Sequence, residues 1–187
     1  MESFAGQIAV VTGGGSGIGR ALVQQLAAAG CHVARCDISE PDMAGTVELC
    51  KAAIDRGVRI TAHRCDVASE SDLNNFREQV AQQHGAAHIN LLFNNAGVSG
   101  GQSFLRDNRE QWDRVFNICW GGVCLGCRVF MPMLLASERG HIINISSIGV
   151  LASSPRFSAY VASKAALDAF SRCAQGDCGL SPGEGLS

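Results

Sequence analysis

The sequence has no long apolar run, no basic cluster and few aromatic residues. These absences argue against membrane proteins and nucleic-acid-binding proteins. No apolar stretch approaches the roughly 18 residues of a membrane-spanning helix, so no membrane association is predicted. Fifteen Lys and Arg residues face seventeen Asp and Glu residues, with no basic patch interleaved with aromatic residues for nucleic acid. The N-terminus lacks the basic start and apolar centre of a signal peptide, which favours a cytoplasmic location.

The cysteines show no pattern of pairing or metal binding. Nine of them, an odd number, are scattered through apparent strands and helices, as expected of reduced thiols in the cytosol. The tightest group is Cys119, Cys124 and Cys127, which has no histidine nearby and does not share one helix face, so no metal site is predicted. With 187 residues and 47% hydrophobic composition, the chain is expected to form the core of one domain.

The chain is organised around a strand, a glycine turn and a helix between Gln7 and Ala29. An apolar run from Ile8 to Val11 is typical of a strand buried on both faces of a parallel sheet, and helical periodicity starts at Arg20. Glycines between them let backbone N–H groups at the start of the helix approach a phosphate. The spacing T-G-x-x-x-G-x-G fits, whereas the common G-x-G-x-x-G does not. We therefore predict a phosphate site formed by Gly13, Gly15, Ser16, Gly17, Ile18 and Gly19.

A carboxylate ends the second predicted strand, at Asp37. Its distance along the chain from Gly19 is about that at which dinucleotide folds place the acid that binds the adenosine ribose. An acid there repels a 2′-phosphate, so NAD is favoured over NADP. Arg35 weakens this preference only slightly, because it lies within the strand and no basic residue follows Asp37 or precedes Gly17. A surface aspartate at a strand end is the alternative interpretation.

Polar and small residues follow the fourth predicted strand, as Asn94-Asn95-Ala96-Gly97. Ligands collect at the carboxyl ends of strands in open α/β sheets, so this edge suits a cofactor. The asparagines could equally tie the loop backbone together, and both interpretations stay open.

Residues 108–137 form a long segment that is apolar on more than one face. A surface helix needs only one apolar stripe, so burial against a partner subunit is expected, as a homodimer or homotetramer through the helices 108–137 and 159–174. Within the segment, Asn117 is polar among apolar neighbours; a simple hydrogen-bonded helix asparagine is the alternative to a functional role.

Tyr160 and Lys164 are four residues apart in a predicted helix, so their side chains share one face. A neighbouring ammonium favours the phenolate form of tyrosine, which is otherwise a poor base at neutral pH. Tyr160 is the only tyrosine in the chain. The same spacing is common by chance, so the pair alone does not establish catalysis.

Taken together, the glycine turn, Asp37, Asp66, residues 94–97, Asn117, Ser147 and Tyr160-x-x-x-Lys164 resemble the classical short-chain dehydrogenase/reductases. The resemblance covers about residues 5–174. It implies an α/β fold, a Rossmann-like doubly wound parallel sheet, and hydride transfer between NAD and a small alcohol or carbonyl substrate. The cofactor residues that it implies, beyond the glycine turn and Asp37, are Asp66, Val67, Asn94, Ala96, Gly97, Tyr160 and Lys164.

The resemblance also implies roles for four catalytic residues. Tyr160 would be the general acid/base, and Lys164 would favour its phenolate form and bind the nicotinamide ribose. Ser147 would hold the substrate oxygen. Asn117 would anchor a water in the proton relay.

The chain departs from the family pattern after residue 174, where the family continues into further strands. Residues 175–187 are predicted to be an irregular tail after a NAD-binding catalytic domain at 1–174, which leaves the fifth strand as an open edge. Two hypotheses follow. The chain is a working NAD-dependent oxidoreductase, or it is a shortened, inactive form that keeps the cofactor site or serves as an interaction partner.

Overall fold

The structure, a computed structural model, describes residues 4–54, 56–99, 104–106, 108–153 and 155–179. Its strands are β1 (Ile8–Thr12), β2 (His32–Asp37), β3 (Ile60–Arg64), β4 (Leu91–Asn94) and β5 (His141–Asn144). Its helices are α1 (Gly17–Ala28), α2 (Glu40–Leu49), α3 (Lys51–Ile54), α4 (Glu70–His84), α5 (Arg109–Phe116), α6 (Gly122–Leu135) and α7 (Ser158–Gly179). A π-helical turn (Asn117–Gly121) joins α5 to α6, and a 3₁₀ turn (Ile148–Val150) follows β5.

The five strands form one parallel sheet in the order β3-β2-β1-β4-β5. The predicted Rossmann-like doubly wound sheet is confirmed. Chain order reverses beside β1, which pairs with β2 on one side and β4 on the other. In open α/β sheets the carboxyl ends of the strands at such a point form the ligand crevice. Among the described residues, no strand pairs with the outer edge of β5.

Helices cover both faces of the sheet. On one face, α1 and α3 bury Val23, Leu26 and Ala53 against Val11 and Val33 of the sheet. On the other face α4 packs against α6, where the rings of Phe76 and Phe130 lie 5.5 Å apart in an edge-to-face contact. Burial of every residue of β1 explains why Ile8–Val11 form a continuous apolar run without alternation.

The described residues group into two compact units. The first contains the chain up to Gly97 together with Gly121–Ile145, and so holds the sheet, α1 to α4 and α6. The second contains Val98–Trp120 and the residues from Ser146 onwards, and so holds α5 and α7. The single domain predicted over residues 1–174 stays a prediction.

The prediction of an irregular tail from residue 175 is wrong for residues 175–179, because α7 continues to Gly179. Ala174 and Gln175 are good helix formers, and a glycine at position 176 costs only about 1 kcal/mol in a helix that has already formed. The rest of the predicted tail, residues 180–187, lies outside the described residues.

The predicted helix over 108–137 is present as α5, the π-helical turn and α6. From Arg109 to Leu135 this stretch is long and apolar enough to meet the length and composition criteria of a membrane span. Half of its most apolar 18-residue window is buried inside the protein, as is typical of a core helix. The absence of a membrane span stays a prediction.

A chain of polar side chains, in which His63 and His84 are buried and Gln79 is exposed, links β3 to α4. His63 Nδ1 lies 2.7 Å from Gln79 Oε1, His63 Nε2 lies 2.9 Å from Thr61 Oγ1, and Thr61 Oγ1 lies 3.0 Å from His84 Nε2. One arrangement of protons satisfies all three contacts: His63 donates to Gln79, Thr61 donates to His63, and His84 donates to Thr61. Both histidines are then neutral. Burial lowers the pKa of His63, and it lowers the pKa of His84 to about 4.

We expect this chain of contacts to make the fold sensitive to acid. The pKa of His84 is lower in the folded protein than the ordinary 6.5, so its contribution to stability is present above pH 6.5 and is lost as the pH falls towards 4. His84 alone should lower the free energy of unfolding by about 2 kcal/mol between pH 7 and pH 5. Urea unfolding at the two pH values measures this loss. His84→Gln should reduce the loss, whereas His141→Gln, at an exposed site, should leave it unchanged; equal losses in all three proteins would contradict the assignment.

Candidate functional site

The turn after β1 is built by backbone packed against backbone. A Cβ on Gly19 would lie 2.0 Å from the carbonyl oxygen of Gly13, and a Cβ on Gly13 would lie 2.9 Å from Ala96 Cα. Gly13 also has a φ of +67°, which side chains other than that of glycine rarely adopt. Two of the predicted glycines are therefore needed to bring the turn, the first helical turn of α1 and the end of β4 together.

Thr12 and Asn95 hold this turn in place by hydrogen bonds. Asn95 Nδ2 donates to the carbonyl oxygens of Thr12 (2.9 Å) and Gly13 (3.2 Å). Thr12 Oγ1 accepts from the backbone N–H groups of Asn95 and Ala96, both at 3.0 Å. Thr12 was not among the predicted site residues, and the sequence left open whether Asn95 contacts a cofactor or ties the loop backbone. The signal available in the sequence was an asparagine in a loop, which is typical of side chains that bind nearby backbone.

The start of α1 offers unused donors. Ser16 occupies the N-cap position, but its side chain makes no capping hydrogen bond. Ser16, Gly17 and Ile18 are exposed, and a Cβ on Gly17 would meet no atom within 4 Å. The first N–H groups of a helix have no partner inside the helix, and the helix dipole favours an anion beside them. The predicted residues at this position therefore fit a phosphate group.

Asp37 is half-buried at the end of β2, and both of its carboxylate oxygens accept backbone hydrogen bonds. Oδ2 accepts from the N–H of Gly15 at 3.0 Å, and Oδ1 accepts from the N–H of Ser39 at 3.1 Å. A Cβ on Gly15 would lie 2.8 Å from Oδ2, so a side chain at this position would displace the carboxylate. The carboxylate is thus fixed beside the turn, with further lone pairs on each oxygen for hydroxyl donors.

Arg20 fastens the same turn to α2. Its Nε donates to the carbonyl oxygen of Gly15 and to Thr46 Oγ1, at 2.9 and 3.0 Å. Its Nη2 donates to that carbonyl oxygen and lies 3.5 Å from Asp42 Oδ1. Because the guanidinium bonds the carbonyl of Gly15, its charge lies beside the turn.

The other predicted cofactor residues of the first unit differ in their accessibility. Asp66 is exposed after β3, and its Oδ1 accepts from the N–H of Ala68 at 2.9 Å. Val67 is buried against Gly122, on which a Cβ would lie 2.7 Å from Val67 Cγ2. Ala96 is half-buried and Gly97 is exposed.

The side chain of Asn94 is buried and forms hydrogen bonds inside the protein. It is 3% exposed, and its Nδ2 donates to Asn144 Oδ1 at 2.9 Å and to Cys127 Sγ at 3.3 Å. A Cβ on Gly126 of α6 would lie 2.5 Å from Asn94 Oδ1. Its amide group therefore bonds other side chains of the interior, and neither of these two contacts is to the loop backbone. Asn144, the partner on β5, was not among the predicted residues.

In the second unit, α7 carries Tyr160 and Lys164 on one face. Tyr160 is half-buried, and the Lys164 ammonium lies 5.9 Å from the centre of its ring. Lys164 is 3% exposed, and burial lowers the pKa of its ammonium, while the charge that Cys119 would carry as a thiolate raises it. A buried cation beside a phenol can favour the phenolate, which is the form that accepts a proton.

Cys119 lies beside this pair, in the π-helical turn. It is fully buried, its Sγ lies 3.2 Å from the carbonyl oxygen of Val98, and with Val115 and Ala159 it forms a small apolar core. Tyr160 packs against that core. Sequence spacing did not identify this neighbour, because it comes from a different helix.

Ser147 and Asn117 are the remaining predicted catalytic residues. Ser147 is half-buried before the 3₁₀ turn, and its Oγ accepts from the N–H of Gly149 at 3.1 Å, which leaves the hydroxyl proton available to another acceptor. Asn117 is exposed and begins the π-helical turn, a feature often found at functional sites. It borders a groove that is otherwise lined by Asn108, Arg109, Trp112, Asp113 and Phe116.

The sequence also led to expectations for metal binding and for the state of the cysteines. Across the part of the chain that the structure describes, no cluster of three or more His, Cys, Asp or Glu side chains could hold a metal ion. The eight cysteines that it describes are all free thiols.

Comparisons of the whole chain with known proteins agree on one family. A family model for short chain dehydrogenases matches residues 7–180. A fatty acyl-CoA reductase from Acinetobacter baylyi is 41% identical over 179 residues, which cover 92% of this chain. This chain spans 57% of the length of that reductase.

Solved structures agree with the sequence comparisons. A short-chain dehydrogenase/reductase from Burkholderia phymatum in complex with NAD has a TM-score of 0.87 and 34% identity, over 95% of this chain and 62% of that one. A metagenomic short-chain oxidoreductase in complex with NADP has a TM-score of 0.84 and 30% identity, over 94% of this chain and 77% of that one.

Proposed function

Because this chain belongs to the short-chain dehydrogenase/reductase family, we propose that it is an oxidoreductase that moves a hydride between a nicotinamide dinucleotide and a secondary alcohol or ketone. The observation that carries the proposal is the pairing of half-buried Tyr160 with buried Lys164 one helical turn away. A phenol next to a buried ammonium is suited to proton exchange with an alcohol or carbonyl oxygen.

The cofactor would be held by the first unit. Its pyrophosphate would accept hydrogen bonds from the uncapped N–H groups at Gly17 and Ile18, where the space is open. Asp37 would accept hydrogen bonds from the adenosine ribose hydroxyls. Since the side chain of Asn94 is bonded inside the protein, the segment 94–97 would contact the cofactor through its backbone. We propose NAD as the preferred cofactor, because the Asp37 carboxylate opposes a 2′-phosphate.

The catalytic residues of the second unit would transfer the proton to or from the substrate oxygen. When bound, the nicotinamide ring supplies the hydride acceptor or donor. Tyr160 would take the proton from an alcohol, or give it to a carbonyl oxygen, and Lys164 would favour the phenolate form. Ser147 has its hydroxyl proton free, so it can donate a hydrogen bond to the substrate oxygen and polarise the carbon that exchanges the hydride. Asn117 would anchor a water that returns the proton to solvent.

The test of this proposal is binding and turnover by the full chain. NADH fluorescence should show saturable binding, and a panel of secondary alcohols and ketones should include at least one that changes NADH absorbance. Binding without turnover on any substrate would support the alternative of an inactive form that keeps the cofactor site. A folded chain without NADH binding would contradict the proposal.

Replacing Asp37 by asparagine should weaken NADH binding about tenfold, because a charge-assisted acceptor is lost. The same change should lower the preference for NADH over NADPH, since the repelling charge is removed. Fluorescence titrations with both nucleotides measure the two effects. Asp113→Asn, which removes an exposed carboxylate paired with Arg109, is the matched control. An unchanged ratio of the two dissociation constants in Asp37→Asn would contradict the assignment.

We also propose that the chain self-associates, as a homodimer or homotetramer, through the helices 108–137 and 159–174. In support, Trp112 and Phe116 stack on α5 with ring centres 5.4 Å apart while remaining partly accessible. A cytoplasmic location is proposed from the free thiols of the described cysteines.

A further inference from the structure

Arg35 is a fully buried cation in the middle of β2. Its side chain is 0% exposed, and its Nη2 donates to the carbonyl oxygen of Met43 at 2.6 Å. Its Nε and Nη1 have no hydrogen-bond partner among the residues that the structure describes. Isolated buried charges are costly, and native proteins usually satisfy every donor of a buried guanidinium. Its presence therefore needs an explanation.

The position of Arg35 connects it with the predicted nucleotide site. Residues two apart in a strand point to the same face, so Arg35 and Asp37 share one face of β2. A Cβ on Gly14 would lie 2.8 Å from Arg35 Cβ and 3.3 Å from its Cδ, so the stem of Arg35 fills the space under the glycine turn. The carboxylate of Asp37 is fixed to the same turn by the N–H of Gly15.

Stability alone does not account for the charge. Buried ionic groups can often be replaced by apolar residues of similar size without loss of stability. Burial lowers the pKa of Arg35, and the negative charge of Asp37 raises it. The two groups therefore interact electrostatically. Away from water, a charge also acts over a longer distance than on the surface. Arg20 places a second guanidinium on the carbonyl oxygen of Gly15, although Asp42 lies beside it.

We propose that Arg35 is a specificity-determining residue, whose buried charge offsets that of Asp37 and lets the site accept NADP as well as NAD. The inference rests on the proposed function. Asp37 alone would repel the two negative charges of a 2′-phosphate. Arg35 attracts those charges from beneath the turn. The difference in affinity between NAD and NADP therefore becomes smaller. An uncharged residue at position 35 would restore the full preference.

The test compares the dissociation constants of NADPH and NADH in variants of the full chain. Arg35→Met and Arg35→Gln remove the charge with two different shapes, and each should raise the ratio of NADPH to NADH dissociation constants by about tenfold. Arg35→Lys keeps the charge and should stay within about threefold of the wild-type ratio. Arg77→Met, which removes a charge on α4, is the control and should leave the ratio unchanged.

Thermal unfolding gives a second measurement that needs no nucleotide. Arg35→Met should unfold at a temperature no lower than the wild type, because it removes a buried charge with incomplete partners. Neutral variants that fold and keep the wild-type ratio within about twofold would overturn the proposal. Failure of the proposed function is a different result, since the wild type itself would then bind neither nucleotide, and the inference would fall with it.

Discussion

Replacing Tyr160 by phenylalanine is expected to lower turnover by about a thousandfold or more while NADH binding is retained. The substitution removes only the phenolic oxygen, and the side chain keeps its packing against the small apolar core of Val115, Cys119 and Ala159. Loss of a general acid/base costs about 10²–10⁴ in rate, and no other tyrosine exists in the chain to replace it. Turnover of the best substrate from the panel and NADH titration measure the two quantities.

The control for this experiment lies one turn along the same helix. The hydroxyl of Ser163 donates to the carbonyl oxygen of Tyr160 at 2.7 Å, so Ser163→Ala changes a buried polar contact without touching the phenol. It should alter turnover by less than about tenfold. A Tyr160→Phe enzyme with wild-type turnover would show that another group moves the proton.

Replacing Gly19 by alanine is expected to have the largest effect on stability. The new Cβ would lie 2.0 Å from the carbonyl oxygen of Gly13 and 2.6 Å from Asn95 Nδ2, and both positions are fixed by the hydrogen bonds of the turn. Overpacking against backbone should lower the free energy of unfolding by about 3 kcal/mol. NADH binding should be lost as well, since the start of α1 must move.

Gly45→Ala provides the matched comparison for this change. The added Cβ would meet only Arg20 Nη2, at 3.9 Å, inside α2. Alanine is favoured over glycine in a helix by about 1 kcal/mol, so this variant should be as stable as the wild type or more stable. Urea unfolding of both variants measures the difference. Equal stabilities would mean that the glycine turn is less tightly packed than the structure shows.

The sheet was predictable because each of its parts has a local signal. A continuous apolar run marked the buried strand β1, and the change to helical periodicity at Arg20 marked α1. Strand ends with polar residues identified the edge at which ligands bind. These signals depend on neighbouring residues along the chain, so one sequence is sufficient to read them.

Features that depend on residues distant in sequence were missed or left open. The bond between Asn94 and Asn144 requires the pairing of β4 with β5, which spacing alone does not give. The fastening of the turn by Asn95 could not be separated in the sequence from a cofactor contact. The burial of Arg35 became visible only with Gly14 and Met43 in place. The end of α7 was misplaced because the segment after residue 174 lacks the apolar length of a strand, and this observation does not exclude that the helix continues.

A crystal structure of the chain with NAD bound tests the central claim most directly. The account predicts that pyrophosphate oxygens accept hydrogen bonds, at about 3 Å, from the N–H groups of Gly17 and Ile18, and that the adenosine ribose hydroxyls donate to Asp37. NAD bound elsewhere on the chain, with the glycine turn empty and Asp37 without contact to the ribose, would contradict it.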